Sequence, residues 1–152
     1  MARPLLPEEI DRMLEQCETG RLGLSRDGIP YVVPLSYWFS ENTIYFHGAP
    51  RGRKIDYILA NARACFLVDR MDELIKSDHP CRFNLNFQSA MAEGEVALVE
   101  DEAEKLAALQ GLSAKYGGPE VAALLAAGDI QNVAVFKLSI KSKSGRANPS
   151  QS

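Results

Sequence analysis

The feature that most constrains this chain is a switch in hydrophobic period near residue 20. Before it, Ile10, Met13, Leu14 and Cys17 recur at helical spacing. After it, apolar residues recur at every second position: Leu22 and Leu24, then Tyr31, Val33, Leu35, Tyr37 and Phe39. Side chains that alternate this way belong to strands with one face against a core. Turn signals separate the strands. Arg26-Asp27-Gly28 is a hairpin signal, and Ser40-Glu41-Asn42 makes a second turn before a strand over Thr43 to His47. Short strands joined by tight turns predict an antiparallel meander, not βαβ units.

The rest of the chain fits that frame. Residues Pro7 to Gln16 read as a short helix, with Pro7 and two glutamates suiting its N-terminus and Gly20 ending it. A second helix is expected over Arg53 to Asn61 and a fourth strand over Ala64 to Asp69. Residues Asp72 to Arg82 read as loop. Phe83 to Glu100 is one long bent strand or two short ones, with a bulge or bend at Gly94. Asp101 caps a helix with Glu104 three residues on, and Leu106, Leu109, Leu112 and Tyr116 form its apolar stripe. A short helix over Glu120 to Ala126 and a last strand over Val133 to Ile140 follow. Residues 1–140 form one domain, and residues 141–152 are expected to be a polar, frayed tail. Five to six antiparallel strands then close into a barrel or sandwich to remove their edges.

Composition narrows the function classes. The 152 residues suffice for one domain with a core, and 46% hydrophobic with 24% charged residues is ordinary for a globular protein. A net charge of −3 argues against a general nucleic-acid binder. No apolar run is long enough for a membrane span, and residues 1–9 carry no signal-peptide core, so a cytoplasmic location is expected. The three cysteines, Cys17, Cys65 and Cys81, are odd in number and widely spaced, which favours free thiols.

One segment carries ligand chemistry. Arg51-Gly52-Arg53-Lys54 places three cations in four residues, just after a strand and at the start of a helix. Free N–H groups at a helix N-terminus favour an anion, and cations there oppose the helix dipole. A bound phosphate removes that conflict and adds charge-assisted hydrogen bonds. A solvated basic turn is the alternative reading. His79-Pro80-Cys81 has no partner pair at metal-ligand spacing and reads as a loop with a buried cysteine; a reactive Cys81 beside Arg82 is a minor alternative. Tyr31, Tyr37 and Trp38 read as core aromatics rather than a stacking platform. Pro34 lacks an N–H and suits an edge strand.

A family resemblance sharpens this. The strand Tyr45-Phe46-His47-Gly48, then Gly52-Arg53-Lys54, then Leu59-Ala60-Asn61 before Cys65-Phe66-Leu67-Val68 resembles the FMN-binding split barrels related to pyridoxamine 5′-phosphate oxidase. The closer resemblance is to the nitroimidazole-resistance (Nim-type) branch. It rests on Gly20-Arg21-Leu22-Gly23, the run from Pro30 to Tyr37, the run from Ile44 to Ala49, Pro80-Cys81 and Gly94-Glu95-Val96. It covers roughly Gly20 to Tyr116. The resemblance implies a mainly β fold, a six-stranded antiparallel split β-barrel of Greek-key type with short helices in the connections and at the N-terminus. It implies a homodimer with FMN between the subunits. Arg53 and Lys54 match the phosphate-gripping pair, and Gln88-Ser89 the pair that reaches the phosphate from a later strand. Val33-Pro34-Leu35-Ser36 matches the strand along the flavin ring. His47 and Gly48 match the strand end beside the ring, with His47 the candidate catalytic residue. The flanking Arg and Lys of the vitamin B6 oxidases are missing around Val33, as is their C-terminal Arg- and Trp-bearing motif, so true pyridoxamine-phosphate oxidase activity is not expected. The implied function is an FMN-dependent oxidoreductase that passes electrons from a reduced nicotinamide or equivalent donor to a small nitroaromatic or quinone acceptor. The alternatives are a non-enzymatic FMN carrier or electron-transfer protein, or the same groove holding haem or a deazaflavin. His47 and His79 are the only histidines available to a haem iron. No metal, nucleic-acid or membrane partner is expected.

Overall fold

The computed structural model describes residues 2–148. Eight strands form one antiparallel sheet: β1 (Arg3–Pro4), β2 (Thr19–Arg26), β3 (Ile29–Ser36), β4 (Trp38–Ser40), β5 (Thr43–Gly48), β6 (Arg63–Ile75), β7 (Asn84–Leu98) and β8 (Ala134–Asn148). The helices are α1 (Pro7–Gln16), α2 (Arg53–Ala60), α3 (Glu102–Gly117) and the short α4 (Pro119–Ala122). The strand order is β3-β2-β6-β7-β8-β5-β4, with β1 also on β8.

That order corrects the expected meander and the count of six strands. Two hairpins form, β2–β3 and β4–β5, but they sit at opposite ends of the sheet. Each closes through a two-residue turn with both residues at positive φ: Asp27 and Gly28 (51° and 77°), Glu41 and Asn42 (49° and 57°). This is the type I′ geometry whose twist matches the strands. Between the hairpins the chain crosses at Tyr37, which is fully buried. Its ring packs edge-on to Phe66 at 4.7 Å, and its hydroxyl donates to the Leu14 carbonyl at 2.7 Å. The alternation read as one strand from Tyr31 to Phe39 is therefore two strands, broken where Tyr37 turns into the core.

One hydrophobic cluster joins Leu22, Leu35, Ile44, Phe46, Phe66, Val68, Ala92 and Leu138 with Met13 and Leu14 of α1. Residues from both halves of the sheet order meet there because the sheet curls on itself. Helix α1 touches β4, β6, β7 and β8 and stops one end of the barrel. A second cluster, with Leu109 and Leu112, seats α3 against Val135 and Ile130.

Several boundaries move. Gly20 does not end α1; it lies inside β2, where an added Cβ would strike the Phe66 ring. Strand β6 runs on to Ile75 through much of the expected loop. Gly94 marks a register shift between β7 and β8, as the sequence suggested, and Lys141 is the residue skipped opposite it. An added Cβ on Gly94 would meet the Ser139 carbonyl oxygen at 1.9 Å, so only glycine lets the strands approach here. The expected helix over Glu120 to Ala126 is the shorter α4, followed by a 3₁₀ turn over Ala127–Ile130. The largest correction concerns the tail: residues 141–148 are strand, paired along β7 and with β1. The final four residues lie outside the described residues.

Candidate functional site

The basic segment folds as a turn entering α2. Gly52 caps the helix at φ 129°, a backbone region that excludes other residues, and its carbonyl accepts from Asp56 N–H at 3.0 Å. The Arg53 guanidinium lies 4.3 Å above the Tyr31 ring, beside Tyr57. The Lys54 amine reaches back to the end of β5, 5.6 Å from the Phe46 ring. It occupies space that a side chain at Gly48 would contest, since a Cβ there would come within 3.2 Å of Nζ. Partial burial pushes the Lys54 pKa down. Neither cation forms an ion pair among the described residues, whereas Lys137, Lys141 and Lys143 all do. Arg51 is exposed and makes no comparable contact. Two cations at a helix N-terminus, neither paired with the first-turn Asp56, suit a dianionic group such as a phosphate.

Next to this pair runs β3, an edge strand at one end of the sheet order, with β4 at the other. The I′ turn makes Arg26 and Ile29 a hydrogen-bonded pair, so Tyr31, Val33 and Leu35 also direct their backbone groups toward β2. Residues 30, 32, 34 and 36 direct theirs off the edge. Pro30 and Pro34 therefore remove two outward N–H groups, and Val32 and Ser36 keep theirs. The edge resists pairing with another strand yet presents carbonyls and isolated donors to a flat polar ligand. Of the four expected ring-holding residues, Pro34 and Ser36 face outward with exposed side chains, while Leu35 is buried in the core.

His47 is exposed on β5 opposite Val135. Together with Ser36 it lines a recess of about 310 Å³ that α3 covers with Leu109, Leu112, Ser113 and Tyr116. Sequence reasoning missed Ser113 and read Tyr116 as part of an apolar stripe. The Tyr116 hydroxyl instead accepts from the Tyr37 N–H at 2.9 Å and donates to the Glu18 carbonyl at 2.5 Å. Its four-residue offset from Leu112 was visible, but nothing local showed that its hydroxyl meets the strand break.

The structure does not bring Gln88 and Ser89 to Arg53 and Lys54 within one chain. Gly48, beside Lys54, pairs with Ala134 at the start of β8; Gln88 and Ser89 pair with Ala147 and Arg146 at its end. Gln88 donates to Asp72 at 3.3 Å, and Asp72 also pairs with Arg70 at 3.2 Å. The loop at His79 corrects another expectation: Cys81 is exposed, not buried, and its N–H donates to His79 Nδ1 at 3.3 Å. Tyr37 is core as expected, and Trp38 packs beside Tyr45 at 5.5 Å. No helix among the described residues is long and apolar enough to cross a membrane.

An open antiparallel barrel, with two cations that form no ion pair among the described residues beside a proline-interrupted edge strand, defines the split-barrel class of fold. The sequence pattern of the pyridoxamine 5′-phosphate oxidase family matches residues 7–147, and the chain belongs to that family. Three solved structures place it further. A candidate 5-nitroimidazole antibiotic resistance protein from Bacteroides thetaiotaomicron is 25% identical with a TM-score of 0.81, over 98% of this chain and 93% of that one. The flavocytochrome Anf3 from Azotobacter vinelandii is 28% identical at 0.83, over 97% and 69%. An FAD-binding protein from Mesorhizobium loti is 26% identical at 0.74, over 98% and 99%. An uncharacterized Rhizobium meliloti protein, RA0666, is 32% identical over 66 residues, and the chain spans 43% of that relative's length.

Proposed function

We propose that this chain is an FMN-dependent oxidoreductase that holds its flavin between two copies of itself. The observation that carries the reading is the pair Arg53 and Lys54, which forms no ion pair among the described residues and sits beside the free edge of β3. The resemblance to flavin-binding structures supports it. Arg53 and Lys54 hold the phosphate. The outward backbone groups of β3, at Pro34 and Ser36, orient the ring. The flavin supplies the redox chemistry, and the protein positions and tunes it. His47, with Ser36 and Ser113, binds a small acceptor of nitroaromatic or quinone type in the recess under α3.

The separation of Gln88-Ser89 from Arg53-Lys54 favours a second copy. Both pairs act on one phosphate only if one copy supplies each. Residues Gln88 and Ser89 also lie at the base of a two-stranded arm, where β6 and β7 run beyond β2 and the described part of β8. Met71, Leu74, Phe83 and Leu85 are exposed apolar residues along that arm. An isolated ribbon of this kind is marginal in water and gains by packing on another surface.

The purified protein is expected to show the two-band absorbance of oxidised flavin, to release FMN on denaturation, and to oxidise reduced nicotinamide with a nitroaromatic acceptor. Arg53→Ala with Lys54→Ala is expected to weaken FMN by at least about a hundredfold, given the worth of two charge-assisted contacts. An unchanged affinity removes the phosphate assignment. Released FAD or deazaflavin replaces the cofactor, a Soret band moves the reading to haem, and bound flavin without turnover leaves a carrier.

A further inference from the structure

A second cavity, of about 450 Å³, lies between α1, β4 and α3, away from the flavin edge. Its lining is Glu15, Trp38, Phe39, Gly111, Ala114 and Lys115. Gly111 lets the Trp38 indole lie against the helix, since a Cβ there would come within 2.2 Å of the ring. One wall is thus a flat aromatic surface.

Lys115 differs from the partly buried lysines of β8. Lys137 and Lys143 meet carboxylates at 2.8 and 2.5 Å. The Lys115 amine instead donates to the Tyr37 carbonyl at 2.9 Å and lies 3.6 Å from the centre of the Tyr37 ring. It forms no ion pair among the described residues. The groups that face it are mostly neutral. Burial pushes the Cys17 thiol up, and burial pushes the Tyr37 phenol up. Tyr116 is also raised by burial, and Glu18 is the nearby carboxylate that opposes the effect on Lys115. Glu15 lies in the cavity wall, and Lys143, paired with Asp11, lies 5.8 Å from the Phe39 ring of the same wall. Burial lowers the Lys115 pKa to about 8, which leaves a large neutral fraction at mildly alkaline pH.

We propose that Lys115 is a nucleophilic amine that condenses with small aromatic aldehydes entering the cavity between α1, β4 and α3. The amine nitrogen bonds to the carbonyl carbon, and a proton passes from nitrogen to the former carbonyl oxygen. The carbinolamine C–O bond then breaks. The oxygen leaves as water with both amine hydrogens, one through Glu15 as acid–base group, and an imine remains. No redox partner is needed. Trp38 and Phe39 supply the apolar walls that select an aromatic aldehyde.

The test uses benzaldehyde with cyanoborohydride, which traps the imine as a benzylamine, and peptide mass spectrometry of the whole chain. At pH 8 Lys115 is expected to be labelled about ten-fold faster than the exposed Lys76. The Lys115 rate is expected to level off above about pH 8. Glu15→Gln is expected to slow labelling at Lys115 and not at Lys76. Equal rates at the two lysines, a Lys115 profile that keeps rising, or a Glu15→Gln variant that affects both alike overturns the proposal.

Discussion

At the scale of single residues, two positions show how far local identity constrains this protein. Gly94 faces the Ser139 carbonyl so closely that a methyl group cannot enter without moving backbone. Gly94→Ala is expected to destabilise the chain by about 1–3 kcal/mol, read as a lower denaturation midpoint with an unchanged slope. Lys115 acts through protonation. Its pKa is lowered in the folded protein, so between about pH 8 and the usual lysine range the unfolded chain binds more protons. The folded state therefore gains stability as pH rises through that window. Lys115→Met is expected to flatten the rise in melting temperature between about pH 8 and 10. Tyr45, raised to about 12, works the other way above pH 10, because its phenol ionises more readily in the unfolded chain.

At the scale of elements, β8 decides more than its composition suggests. Its second half, Lys141 to Asn148, is polar and dotted with small residues, yet it pairs with β7 on one side and β1 on the other. Leu5, Ile10 and the Ser89 carbonyl crowd Gly145, and Ala147 is buried. A chain ending at Ile140 is expected to lose cooperative unfolding rather than merely shed a tail. Circular dichroism on thermal melting reads the difference, and an unaltered melt would restore the tail interpretation. The hairpins are simpler. Asp27-Gly28 adopts the two-residue turn its residues favour, Glu41-Asn42 adopts the same turn with Glu41 at a positive φ that glutamate rarely takes, and each sets the register of the strands it joins.

At the scale of the whole molecule, the two halves of the proposed phosphate site lie at opposite ends of β8, and the β6–β7 arm projects with Leu74 and Phe83 exposed at 50% and 55%. On the proposed reading these facts have one cause, the second copy. Leu74→Asp with Phe83→Asp is expected to give a monomer by sedimentation, with a native far-UV spectrum and FMN affinity reduced at least about ten-fold. A variant that stays dimeric, or a monomer that binds FMN as before, separates the arm from the site.

Periodicity and turn chemistry are local, so the residues themselves determined much of this protein. The amphipathic α1, the two hairpin turns, the Asp101 cap that accepts from Glu104 N–H at 2.8 Å, and the glycine at the β7 register shift all follow from near neighbours in sequence. The basic entry to α2 was legible for the same reason. Tertiary structure alone decided what depends on residues far apart. It separated β3 from β5 by burying Tyr37, turned the polar C-terminal segment into strand, and set Lys115 and Tyr116 of α3 against the break between hairpins. A polar sequence gives no sign of a ladder whose partner lies some fifty residues away. A lysine likewise gives no sign of burial until another element covers it.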